Sequence, residues 1–120
     1  MEKLTFKKPE RLSQKKIIQE LFDKGSSFYL YPFKLFFLPT EGLVNQIMVT
    51  VPKAIFKRAV DRNTIKRRTR EGYRLNKSKL RSDKFFALAY IYTAKEILPS
   101  GVIHEKIALS LEKLKDRHEG

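Results

Sequence analysis

The chain has no cysteine, which removes a disulfide framework and a thiolate zinc site from consideration and fits a cytoplasmic protein. Histidine is almost as scarce: His104 and His118 are the only two, both near the C-terminal end. A lone helical histidine followed by Glu105 is more often a surface residue than a general base. The thirteen acids are scattered, without the paired spacing that hydrolases use, and no glycine-rich phosphate loop is present. No catalytic residue and no metal ligand is therefore assigned. The N-terminus, Met-Glu-Lys-Leu-Thr-Phe-Lys-Lys-Pro, lacks the apolar core of a signal peptide, and no apolar run approaches membrane-spanning length.

What the chain has in excess is positive charge. Twenty-six Lys and Arg give a net charge of +13 over 120 residues. From Lys57 to Arg81, eleven of these face only Asp61 and Glu71, so nine of the thirteen net charges sit in about a fifth of the chain. Like charges that crowded weaken the compact state unless a polyphosphate partner relieves them. Placed on a helix, Arg62, Lys66 and Arg70 fall at roughly 0°, 40° and 80°, and Asn63, Arg74 and Arg67 at about 100°, 120° and 140°. Ile65, Gly72 and Leu75 lie opposite, between roughly 220° and 300°. Arg68 falls on the apolar side and Tyr73 on the basic side. The alternative is a solvated helix that serves only solubility, but the scarcity of acids and the shared face favour a partner. Asp61 suits an N-cap, whereas Arg62 in the first turn opposes the helix dipole unless an anion docks there.

An apolar fraction of 42% excludes a disordered basic tail. The length suits one domain, 1–120, with flexible tails over about 1–8 and 116–120. Ser13 can cap a helix to about Lys24 that stops at Gly25. Phe28 to Leu38 is strand-like and broken at Pro32, and a third strand spans about Val44 to Val51. The basic helix covers roughly Asp61 to Leu75. Lys84 to Tyr92 reads as a buried strand, and Pro99-Ser100-Gly101 opens a last helix with Ile103, Ile107, Leu111 and Leu114 on one stripe. The order α-β-β-β-α-β-α is an α+β sandwich: a four-stranded sheet with helices packed on it.

Alternation defines a second surface. Phe33, Leu35 and Phe37 share one face of their strand, leaving Lys34 and Phe36 on the other; Met48 and Thr50 likewise oppose Ile47, Val49 and Val51. A face of Lys34, Phe36, Met48 and Thr50 is too polar for a core and suits unpaired bases, with lysine holding the backbone. Tyr90 and Tyr92 fit either face.

Arg62-Asn63-x-x-Lys66-Arg67-x-x-Arg70-Glu71 resembles the signature of the bacterial ribonuclease P protein subunit. Met48-Val-Thr50-Val-Pro-Lys53 is similar to the strand and lysine that precede that family's central helix, and Arg11-Leu12 through Phe22-x-x-Gly25 to its first helix. The likeness spans roughly residues 9 to 115. Thr64 stands where the family usually has a second arginine, leaving that phosphate contact either lost or taken over by Arg58 or Arg68. The resemblance implies a sheet domain like one of the small-subunit ribosomal proteins, with a left-handed crossover, although the common connection is right-handed. It implies a protein monomer working with a catalytic RNA whose bound Mg2+ activates water to remove the 5′ leader of precursor tRNA. Arg58, Arg62, Asn63, Lys66, Arg67, Arg70 and Arg74 would grip the RNA. Ile18, Phe22, Lys34, Phe36, Met48, Thr50 and Lys53 would line a groove for the leader, with no membrane involved. A ribosomal or general structured-RNA-binding protein shares the charge and layout without any role in cleavage. A DNA-binding helix would need dimer symmetry or a helix-turn-helix, and a protein-only nuclease an acidic metal cluster; neither is visible.

Overall fold

The computed structural model describes residues 10–80 and 84–119. The expected N-terminal tail, 1–8, lies outside them, as do Arg81 and the side chain of His118. The chain forms α1 (Lys15–Lys24), β1 (Ser26–Leu30), β2 (Phe33–Thr40), β3 (Gln46–Thr50), α2 (Ala59–Asn76), a 3-10 turn (Lys77–Leu80), β4 (Phe85–Tyr92) and α3 (Ser100–Glu119). This is the anticipated order. The four strands make one sheet, β1-β2-β4-β3. β2 pairs antiparallel with both β1 and β4, and β3 runs parallel to β4. A parallel pair needs a crossover, and α2 supplies it.

β4 sets the two faces. Phe86, Leu88, Tyr90 and Tyr92 point into the main core, where they meet Phe33, Leu35 and Phe37 of β2 and Ile47 and Val49 of β3. α2 adds Ile65 and Tyr73 to this core, and α3 adds Ile103, Ile107, Leu111 and Leu114. Alternation alone left the two tyrosines undecided; their hydroxyls explain the outcome. The Ser110 hydroxyl donates to Ile107 O at 2.6 Å, so the buried Tyr90 hydroxyl is the donor in its 2.7 Å bond to Ser110 Oγ. Tyr92 donates to Glu96 O at 2.7 Å and accepts from the Leu98 N–H at 3.1 Å. Burial pushes both phenols' pKa up, so they stay neutral donors.

The opposite face carries Ala87 and Ala89, fully buried beneath Leu12 and Leu21. Two methyl side chains let α1 lie close to the sheet, and Ile17, Ile18, Phe36, Leu38 and Met48 pack around that contact. The segment before α1 also closes the outer edge of β3: Arg11 bridges Ile47 in parallel, and the Leu12 N–H donates to Ile47 O at 3.0 Å.

Several boundaries differ from the sequence reading. Gln14, not Ser13, occupies the N-cap of α1, with no side-chain cap bond, and the helix begins at Lys15. β3 starts at Gln46, leaving Val44 exposed. α3 stays helical to Glu119, through the stretch expected as a C-terminal tail. Gly25 does end α1, but not through a left-handed conformation: its φ is −70°. Its N–H donates to Leu21 O at 2.9 Å, and an added Cβ would fall 2.3 Å from Leu21 O and 2.9 Å from Phe37 O. The turn from α1 into β1 therefore has no room for a side chain. Gly25→Ala is expected to destabilise the fold by about 1–3 kcal/mol in chemical denaturation, through displacement of α1 from the sheet.

Candidate nucleic-acid interface

α2 begins at Ala59 with Arg58 in the N-cap position. Asp61 is therefore not the cap; it sits in the first turn, where its charge still favours the helix dipole, 4.0 Å from Arg58 Nε. The buried residues of the helix are Ile65, Thr69, Gly72 and Tyr73. Tyr73, assigned by the wheel to the basic side, is in the core, whereas Leu75 from the apolar side is 42% exposed. The cause is α3. At Gly72 an added Cβ would lie 3.1 Å from His104 Cδ2 and 3.2 Å from His104 Cα, so the two helices approach closely there and the buried stripe turns toward Thr69 and Tyr73. Thr69 tolerates burial because its hydroxyl donates to Ile65 O at 2.8 Å. His104 is thus a packing residue against Gly72, with Nε2 buried and unpartnered among the described residues.

This rotation sorts the cations. Asn63, Arg67 and Arg70 are exposed, while Lys66 and Arg74 lie half-buried on the flank. Arg67 and Arg74 each approach Glu71 at 3.9 Å, a spacing and exposure that contribute little. Among the described residues neither Lys66 nor Arg70 has an ion-pair partner. Burial lowers the Arg70 pKa below its ordinary value, and the positive charge of Arg11 adds to that lowering. Arg11 leads into α1 from the edge of β3.

Two arginines are committed to the fold. Arg62 Nη1 donates to Phe56 O at 2.7 Å and to Lys57 O at 3.0 Å, tying the loop between β3 and α2 to the helix start. The same loop is held by the Ile55 and Phe56 N–H groups bonding Pro52 O, and by Phe56 packing on Tyr92. Carbonyl oxygens, rather than an anion alone, thus answer the charge that Arg62 places near the helix N-terminus. Arg68 Nη1 donates to Leu98 O at 2.7 Å, with Nε buried, so it points toward α3. Thr64 donates to Val60 O at 2.9 Å. Of the two arginines considered for the Thr64 position, only Arg58, whose side chain is 77% exposed, faces solvent.

On the α1 face, the sequence-derived groove residues largely converge. Phe36 meets Phe22 edge-on with centroids 4.9 Å apart, and Lys34 Nζ stands 5.1 Å from the Phe36 ring centre. Ile18, Phe36 and Met48 are half-buried against the α1–sheet contact, so they form a wall rather than a closed core. Phe22 is 40% exposed at the rim. Thr50 is half-buried at the end of β3, and Lys53 is exposed on the loop beyond. Tyr29 also belongs to this surface and was not assigned from sequence, although alternation with the inward Phe28 and Leu30 would have placed it.

The two kinds of arginine separate by stability. Arg62→Ala is expected to lower the unfolding free energy by about 1–3 kcal/mol through its two charge-assisted carbonyl bonds. Arg70→Ala should change it by less than about 0.5 kcal/mol, both read by denaturant titration.

The ribonuclease P family model matches residues 6–115. The ribonuclease P protein component of Petrotoga mobilis is 41% identical over 90 residues, covering 75% of this chain and 70% of that protein. The Porphyromonas gingivalis component (strain W83) is 42% identical over 73 residues, 58% of this chain and 53% of its own, so the chain spans about half the length of that relative. Among solved structures, the RNase P protein from Thermotoga maritima aligns with a TM-score of 0.75 at 25% identity, over 87% of this chain and 96% of that one. The Staphylococcus aureus protein shares the fold, with a TM-score of 0.74 at 21% identity over 88% and 95% of the two chains. By its motifs, its fold and a sequence match over most of its length, the chain belongs to the ribonuclease P protein family.

Proposed function

We propose that the chain is the protein subunit of a ribonuclease P ribonucleoprotein, binding a catalytic RNA through α2 and the 5′ leader of precursor tRNA through the α1 groove. The observation that carries this reading is that the chain presents two unlike surfaces, one on the helix that packs against the main core and one on the opposite face of the sheet. On one, the cations of α2 include the exposed Arg70 and the half-buried Lys66, both without ion-pair partners among the described residues. On the other, a partly exposed aromatic pair stands beside a lysine. Cations without acids suit a folded RNA's phosphates, and an aromatic groove suits unpaired bases. A molecule that must hold a structured RNA and a single strand together needs both.

Family membership also raises the question of Mg2+. No three His, Cys, Asp or Glu among the described residues gather into a possible ion site. In the proposed reading the metal and the hydrolysis belong to the RNA. This chain's part is to neutralise phosphate repulsion through Lys66, Arg67 and Arg70, and to orient the leader against Phe22 and Phe36. Arg62 contributes by fixing the loop that carries Lys53 and Lys57. No helix among the described residues is long and apolar enough to cross a membrane; a cytoplasmic, single-copy subunit accords with the proposal.

The decisive experiment is cleavage of a 5′-extended precursor tRNA by a bacterial catalytic RNA at low magnesium, with and without the protein. Strong stimulation is expected, and Lys66→Ala/Arg70→Ala should abolish most of it while lowering the salt slope of RNA binding by roughly 1–2 units. Tight, salt-dependent RNA binding without stimulation would instead identify a general RNA-binding protein.

A further inference from the structure

The sheet face that carries Phe36 and Lys34 continues past them to the β1 edge. In β1, Phe28 and Leu30 are half-buried toward the main core, so Tyr29 stands on the α1 face, directly opposite Lys34 in the antiparallel register. Lys34 in turn pairs with Ile91 of β4. Tyr29 is 56% exposed, so much of its ring is open to a ligand.

Its hydroxyl is fixed in a way that determines what it can bind. Thr93 Oγ1 donates its only proton to Pro32 O at 3.0 Å. In the 3.0 Å bond between the Tyr29 hydroxyl and Thr93 Oγ1, the phenol must therefore be the donor. Its remaining lone pair is free to accept from solvent or a ligand. The tether also removes much of the side chain's rotational freedom before any partner arrives, which lowers the entropic cost of contact. Phe36 pairs with Ser27, so Phe36 and Tyr29 are diagonal neighbours, about 7–8 Å apart at Cα, with Lys34 between them. An aromatic, a cation and a second aromatic thus form a row that continues the Phe22–Phe36 pair toward β1.

We propose that Tyr29 is a further base-stacking subsite for the single-stranded RNA in this groove. It would take a nucleotide beyond those seated on Phe22 and Phe36, with Lys34 holding the intervening phosphate. The phenolic oxygen accepts from a ribose 2′-hydroxyl or a base amino group, the former being the group that distinguishes RNA from DNA. The subsite rests on the leader-groove reading and lengthens it.

The test uses the protein assembled with a bacterial catalytic RNA and a series of precursor tRNAs whose leaders are shortened stepwise from the 5′ end. Tyr29→Ala is expected to weaken binding of the long-leader substrates by roughly 5- to 100-fold and to leave the shortest ones unchanged. Tyr29→Phe, which keeps the ring and loses the tether, should lose less. Should the alanine variant fail to fold, Tyr29→Leu provides the same loss of aromatic face with the bulk retained. No loss at any leader length, or an equal loss on leaderless tRNA, would overturn the subsite. Phe36→Ala distinguishes the two levels: if it weakens leader binding and Tyr29→Ala does not, only the subsite fails. If neither alters leader-dependent affinity, the groove reading falls with it.

Discussion

The architecture depends on the unequal alternation of β4. On one side Phe86, Leu88, Tyr90 and Tyr92 fill the space beneath α2 and α3; on the other, Ala87 and Ala89 leave just enough depth for Leu12 and Leu21 of the α1 region. Large residues on both faces would hold α1 away from the sheet and widen the groove beside it. Small residues on both would remove the core against which α2 packs. Since β4 lies between β2 and β3, this one strand fixes the depth of the groove and the placement of the basic helix together. Apolar burial supplies the driving force; the asymmetry decides where the surfaces fall.

Electrostatics then divides the arginines into two populations that sequence alone treats as one. Arg62 and Arg68 satisfy carbonyl oxygens at the two ends of connecting loops. Arg67 and Arg70 are exposed and Arg74 is half-buried beside them, with Arg67 and Arg74 sharing Glu71 at 3.9 Å. The closeness of Arg70 to Arg11 is an electrostatic cost in the free protein, of the kind that an arriving phosphate reverses. In the proposed complex, the RNA would complete a charge arrangement that the protein leaves open.

Much of this was legible in the sequence. Alternation placed Phe33, Leu35 and Phe37 inside and Lys34 and Phe36 on the other face, and the stripe Ile103, Ile107, Leu111 and Leu114 is fully buried. Where the reading failed, a neighbour unseen in one dimension decided the matter. The helical wheel assigned Tyr73 to the basic side because it assumed that α2 packs only on its most apolar line; the close contact of Gly72 with α3 turned the helix. Asp61 looked like a cap, but Arg62 reaching back to Phe56 and Lys57 supports a helix that starts at Ala59. Tyr90 could not be assigned because the partner of its hydroxyl, Ser110, lies on α3, which only the fold brings near; the partner of Tyr92, the Glu96 carbonyl, is close in sequence but belongs to a loop whose turn strand alternation does not describe.

The short segment at Arg11 and Leu12 has a consequence for the chain before it meets any partner. β3 is an outer strand, and an unpaired strand edge in a protein this rich in aromatic residues is a template for accretion of other copies. The parallel bridge to Ile47 and the Leu12 N–H bond close part of that template, while the adjoining Arg11 places a repelling charge on any copy that approaches. The residues that lead into α1 therefore also cover part of a strand edge that would otherwise be open to pairing with another copy.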